Sequence, residues 1–134
     1  FHSLFPRIKE LIGQNNELLI DLNISFIEYF KEFLSIKTEI IKASELNAEG
    51  KRENLLLNLC KSVKATEYIS PPGSQAYLEE STIFDKSGIS VKYFQYECST
   101  YPQLYGDFVP YASIIDLVMN CGEMSALYMK RGIS

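Results

Sequence analysis

The chain has 134 residues, enough for one domain with a buried core. Its 46% hydrophobic and 22% charged residues, with nine tyrosines and eight phenylalanines, exclude a disordered chain. A net charge of -4 argues against a general nucleic-acid or membrane-surface binder. No apolar run approaches the roughly 20 residues of a membrane helix, so no membrane insertion is expected. Cys60, Cys98 and Cys121 form neither a disulfide framework nor a C-x-x-C zinc pattern, which fits a reducing, cytoplasmic setting. His2 is the single histidine, which leaves a histidine base or histidine metal cluster without material. No cofactor and no metal are expected. The chain opens on Phe1 without a leader-like segment, the look of a fragment or a trimmed chain.

Leu4, Phe5, Ile8, Leu11 and Ile12 repeat at helical spacing, and Gly13 closes that helix. Asn15-Asn16 signals the next start, and Glu17 to Leu34 reads as the longest helix. Its stripe is Leu18, Leu19, Leu22, Phe26, Tyr29, Phe30 and Phe33, read as core packing. Thr38 to Lys42 is a short β-prone run, followed by a polar, turn-rich stretch. A helix begins near Lys51 or Arg52, with Leu55, Leu56, Leu59 and Val63 facing one way. Glu67 to Ser70 reads as a strand, so strand, helix and strand make a parallel βαβ unit.

That strand stops at Pro71-Pro72-Gly73, and Gln75 to Leu78 turns back as a short helix. Thr82 to Lys86 is a second helical piece, with Ser81 to cap it and Gly88 to end it. Ile89 to Tyr96 is the strongest strand, with Ile89, Val91 and Tyr93 on one face and Ser90, Lys92, Phe94 and Tyr96 on the other. Glu97 to Tyr111 is a long aromatic loop, of the kind that binds or covers something. Ser113 caps a helix that ends near Asn120-Cys121-Gly122, and a last helix runs from Glu123 to about Lys130. The expected fold is α/β: a small, mainly parallel sheet of Thr38–Lys42, Glu67–Ser70 and Ile89–Tyr96 flanked by helices. It is a Rossmann-like three-layer unit, with residues 1–134 in a single domain.

Four places could carry chemistry. Gly50, Lys51 and Arg52 lie at a helix N-terminus, where free N–H groups and two cations suit a phosphate or carboxylate; the plain alternative is a solvated helix start. Ser70 and Gly73 sit on the strand-to-helix corner, where open α/β sheets bind ligands; the alternative is a turn stiffened by two prolines. Tyr101, Gln103 and Phe108 can stack on and read a ligand, or pack their own loop. Asp116 follows two isoleucines in the first turn of its helix. It is either a partnered buried acid with a catalytic role or a helix-dipole group. Asn120 beside Gly122 reads as a helix C-cap.

Taken together these stretches resemble the WbqC-like family. The resemblance is carried by Ser44-Glu45-Leu46, Glu49-Gly50-Lys51-Arg52, and Tyr68-Ile69-Ser70 with Gly73 and Ala76-Tyr77-Leu78. It continues through Tyr101-Pro102-Gln103, Gly106, Phe108-Val109-Pro110, Ser113-Ile114-Ile115-Asp116-Leu117 and Asn120-Cys121-Gly122. Pro71 departs from it, standing where members more often have glycine. The resemblance implies a role in O-antigen or surface-polysaccharide biosynthesis, with a nucleotide-sugar or other phosphorylated small molecule as partner. It also implies that an N-terminal region of the family is absent and that this chain is the C-terminal part of a larger domain. In that setting Lys51 and Arg52 would hold phosphate, and the Ser70–Gly73 corner with Tyr77 would shape the pocket. Gln103 and Asp116 would orient the acceptor, with Asp116 as general base of a group transferase. The rival is a non-catalytic module that binds sugar nucleotides or organises a protein partner.

Overall fold

The computed structural model describes residues 4–129. Its chain elements fall into two compact units, one of residues 4–38 with 98–129 and one of residues 39–97.

In the first unit, α1 (Leu4–Gly13) and α2 (Leu19–Phe33) pack with α6 (Ile114–Cys121). Leu4, Ile8, Phe30 and Val118 are the buried centre, and Phe26, Tyr29, Phe33, Ile114, Ile115 and Met119 close around it. The i, i+4 spacing of Leu4 and Ile8, and of Phe26 and Phe30, brings these groups onto one face of each helix. Only part of the expected α2 stripe is buried this way: Leu18 and Leu19 remain 61% and 73% exposed. Leu18 precedes the first turn in extended conformation, and the expected Asn15-Asn16 cap is not made. A 3₁₀ helix, Gly122–Tyr128, takes the place of the expected last α-helix. Gly122 has φ +55°, a left-handed setting that breaks the α-helical run before it.

In the second unit, α3 (Glu53–Ser62), β1 (Glu67–Ser70), α4 (Gln75–Glu79), α5 (Ile83–Lys86) and β2 (Ser90–Tyr93) follow in order. A short 3₁₀ turn, Pro72–Ser74, joins β1 to α4. The strands pair in parallel with Glu67 opposite Ser90 and Ser70 opposite Tyr93. The parallel βαβ unit is therefore β1–α4–α5–β2, one step later in the chain than the spacing suggests. Thr38 to Lys42 forms no strand. Its β-prone side chains have no ladder to join, and backbone groups without a neighbouring strand take their partners elsewhere. Among the described residues the sheet has two strands, and a three-strand sheet is not observed.

Alternation along β2 follows the sequence. Ile89, Val91 and Tyr93 turn to the core, and Ser90, Lys92 and Phe94 turn outward. On the outer face Lys92 pairs with Glu67 at 2.6 Å. The core is Leu57, Cys60, Leu78, Phe84 and Ile89, with Leu56 and Tyr68 packed on it. The inward face of α3 is thus Leu56, Leu57 and Cys60, not the expected row that ends at Val63, which is 46% exposed. Leu59 and Val63 instead line a cavity of about 410 Å³ under Ile41, Ala43 and Leu46. Burial pushes the Cys60 thiol pKa up, so it behaves as a small apolar group.

Phe84 is the pivot of this core. It is 1% exposed and its ring stacks on Tyr68 at 5.5 Å between centroids. Phe84→Ala removes the ring and leaves a cavity, and should cost about 3–5 kcal/mol of unfolding free energy in urea titration. A loss below about 1 kcal/mol would mean that this core is not the one holding β1 to α5.

Candidate functional site

The first unit holds a hydrogen-bonded cluster built on α6. Ser113 has extended backbone and accepts from the Ile115 N–H at 3.2 Å, the expected N-cap. That cap fixes the first turn, and Asp116 lies in it. Its carboxylate accepts from three side chains: Tyr101 Oη at 2.7 Å and Gln103 Nε2 at 2.9 Å on Oδ2, and Asn120 Nδ2 at 3.1 Å on Oδ1. Asn120 Nδ2 also donates to the Asp116 carbonyl at 2.9 Å. Asn120 therefore acts within the helix, one turn beyond Asp116, and Gly122 is the residue that ends the helix. Cys121 has its thiol pKa pushed up, by burial first and by the nearby Asp116 charge second.

Gln103 does two things at once. Its Nε2 bonds Asp116 and the Val109 carbonyl at 3.1 Å, while its Oε1 accepts from the Val109 N–H at 2.8 Å. A side-chain amide paired to a peptide in both directions closes the loop between residues 103 and 109. Gly106, at φ +69°, turns the enclosed segment. Leu104 and Tyr105 project from it, 77% and 89% exposed. Tyr101 is 5% exposed, and its ring meets Phe108 edge-on at 5.2 Å and Tyr128 at 6.1 Å. The aromatic loop thus packs its own rings at Tyr101 and Phe108 and offers other apolar groups at its tip.

The remaining expected residues lie in the second unit. Gly50 has φ +123°, and a Cβ there would stand 3.1 Å from the Leu55 backbone nitrogen. Only glycine allows the loop to lie this close to the start of α3. Arg52, the residue before α3, has φ +50° and ψ -130°, a costly conformation for a side-chain-bearing residue. Asn58 Nδ2 donates to the Glu49 carbonyl at 2.8 Å and ties the loop to the helix. Among the described residues no side chain caps α3, and Lys51 and Arg52 are exposed. At the corner after β1, Ser70 is fully buried, its hydroxyl without a hydrogen-bond partner among the described residues, while its carbonyl accepts from Phe94 N–H at 2.9 Å. Gly73 and Tyr77 are exposed. The Tyr93 hydroxyl pKa is pushed up by burial first, then by Glu79 and Tyr77.

Two features escaped the sequence reading. The Gln103–Val109 pairing joins residues six apart through a side chain, which no periodicity reports. The left-handed conformation of Arg52 belongs to a residue type that gives no warning of it.

The WbqC-like protein family matches residues 1–128, and the chain belongs to this family. It is 36% identical over 111 residues to the uncharacterized protein Rv1507c of Mycobacterium tuberculosis. That alignment covers 81% of this chain and 47% of the relative, so the chain spans about half the length of the curated relative it matches. No solved structure matches it. Among the described residues, no helix is long and apolar enough to cross a membrane.

Tyr101 has its pKa raised above the ordinary value of 10.0, by burial first and by the hydrogen bond to Asp116 next. The folded state therefore holds the phenol proton more tightly than the unfolded chain does. The stability this gives is complete below pH about 10 and is lost as pH rises through the higher folded value. Tyr101→Phe should lessen the alkaline fall in melting temperature above pH 10, to which Tyr29 and Tyr93 also contribute, while lowering the plateau stability by about 1–3 kcal/mol for the lost hydrogen bond to a charged group. An unaltered alkaline limb would place the titrating group elsewhere.

Proposed function

We propose that this WbqC-like chain binds a phosphorylated small molecule of the nucleotide-sugar class, in O-antigen or other surface-polysaccharide biosynthesis in the cytoplasm. The observation that supports this most is the loop before α3. Gly50 and Arg52 both adopt positive φ, and Lys51 and Arg52 stand exposed at an uncapped helix start. Backbone strain of this sort gathers at ligand-holding loops, and a helix N-terminus with two cations has the charge for a phosphate. In this reading Ser70, Gly73 and Tyr77, at the corner after β1 in the same unit, shape the pocket. Tyr101, Gln103, Phe108 and Asn120 keep the aromatic loop in shape around Asp116. The β1–β2 pair would be part of a Rossmann-like three-layer sheet completed in a larger domain by further residues.

Group transfer onto the activated sugar, with Asp116 as general base, is the second reading. Tyr101 and Gln103 aligned on one carboxylate oxygen favour a role at a reacting centre. Against it, the protein's own side chains already occupy three of the about four lone-pair positions of this carboxylate, which leaves little of it open to an acceptor, so binding is preferred.

A thermal-shift titration with UDP-, GDP- and dTDP-sugars tests both. A ligand at about a hundred times its Kd should stabilise the native state by about 2.7 kcal/mol, a rise of several degrees. Arg52→Ala should abolish the rise, and unphosphorylated sugars should give none. No shift with any nucleotide, or a shift that Arg52→Ala leaves intact, would remove the phosphate-holding loop. Asp116→Asn should keep the shift; loss of turnover with retained binding would promote the transferase reading.

A further inference from the structure

A groove of about 590 Å³ runs between α1 and α2, wholly within the first unit. This is the size range of small-ligand sites. Arg7 and Leu11 stand one turn apart on α1 and present one ridge to it. From α2 come two i, i+4 pairs, the carboxylates Glu28 and Glu32 and the rings Tyr29 and Phe33. The two rings lie 6.4 Å apart, and Leu11, 2% exposed, lies at the base.

The charges here do not balance. Like charges at i, i+4 destabilise a helix by a few tenths of a kcal/mol, and Glu28 and Glu32 are such a pair. Among the described residues the one cation lining the groove, Arg7, already pairs with Glu10 at 2.7 Å. Its influence also reaches Glu32 and Tyr29 from across the groove. Arg7 thus divides its charge between Glu10 and Glu32, and Glu28 and the two aromatic rings stand in the same groove. Rings and carboxylates together are the surfaces that hold an ammonium group, by cation–π attraction and charge-assisted hydrogen bonds.

We propose that the α1–α2 groove is a binding site for a small polar molecule carrying a primary amine, with Glu28 and Glu32 on the ammonium and Tyr29 and Phe33 against the carbon frame. Arg7 is a competitor for Glu32, not a ligand-holding group. The site is separate from the loop at Lys51 and Arg52 and stands or falls without it.

Two sources of the amine are tested together, a linear diamine and an amino sugar. ¹H–¹⁵N spectra of the whole chain are followed during titration with 1,4-diaminobutane or glucosamine, against 1,4-butanediol, glucose and potassium chloride at matched ionic strength. Saturable shifts are expected at residues 7–14 and 25–33 with the amines and not with the neutral matches or salt. Glu28→Gln with Glu32→Gln should weaken binding about tenfold or more, the loss of at least 1.4 kcal/mol. Arg7→Gln should tighten it severalfold, and Arg52→Ala should leave it unchanged. Response to one amine alone assigns the groove to that kind of amine. Equal shifts with butanediol or glucose, shifts that track ionic strength without saturating, or weaker binding in Arg7→Gln would overturn the proposal. Should the double variant fail to fold, as judged by far-ultraviolet circular dichroism, the sign of the Arg7→Gln effect decides.

Discussion

One carboxylate organises the long loop of the first unit. Asp116 receives hydrogen bonds from Tyr101, Gln103 and Asn120, and each arrives from a different kind of constraint. Asn120 comes from the same helix, one turn on. Tyr101 comes from a buried ring wedged between Phe108 and Tyr128. Gln103 comes from a side chain that is simultaneously paired to the backbone at Val109. Removing the carboxylate would leave the Tyr101 hydroxyl without its acceptor in a part-buried space, while Gln103 and Asn120 keep the Val109 and Asp116 carbonyls, and an unsatisfied buried donor costs more than the bond returns. The placement of the acid itself goes back to Ser113, whose hydroxyl and carbonyl start α6 at the right residue.

The second unit depends on burial more than on hydrogen bonds. Its strands have four residues each and its crossover helices five and four, too short to be stable alone. Phe84, Ile89 and Leu57 hold them by shared apolar area. The loop before α3 contrasts with this economy: it keeps two residues in left-handed conformations and ties itself down through Asn58. Lys64, at φ +55° just after α3, is the other side-chain-bearing residue of this unit held in the left-handed region, so the strain sits at both ends of that helix.

How far this was legible in the sequence differs by the physics involved. The α1 helix and the alternation along β2 could be read from their periods, although of the α1 stripe only Leu4, Ile8 and Leu11 are buried and Phe5 and Ile12 are exposed. The Ser113 cap was legible for the same reason: its signature is local. Thr38 to Lys42 misled because β propensity describes fitness for a sheet and not the presence of a neighbour to pair with. The face of α3 misled because the helix is apolar on two sides, and only tertiary packing chooses between Leu57 and Val63. In the candidate cluster, Asp116, Gln103 and Tyr101 could each be singled out as residues that need partners. That they would choose one another, across thirteen and fifteen positions, is not written in any spacing.

The parallel pairing of β1 and β2 has a consequence for how the chain acquires its shape. Its first paired residues, Glu67 and Ser90, are separated by more than twenty positions, with both short helices between them. The chain must fix that whole excursion before the first rung of the ladder forms, an entropic debt that hairpins avoid. Helical turns around Phe84 are therefore positioned to collapse early onto α3, with the ladder closing as a late event in the folding of this unit.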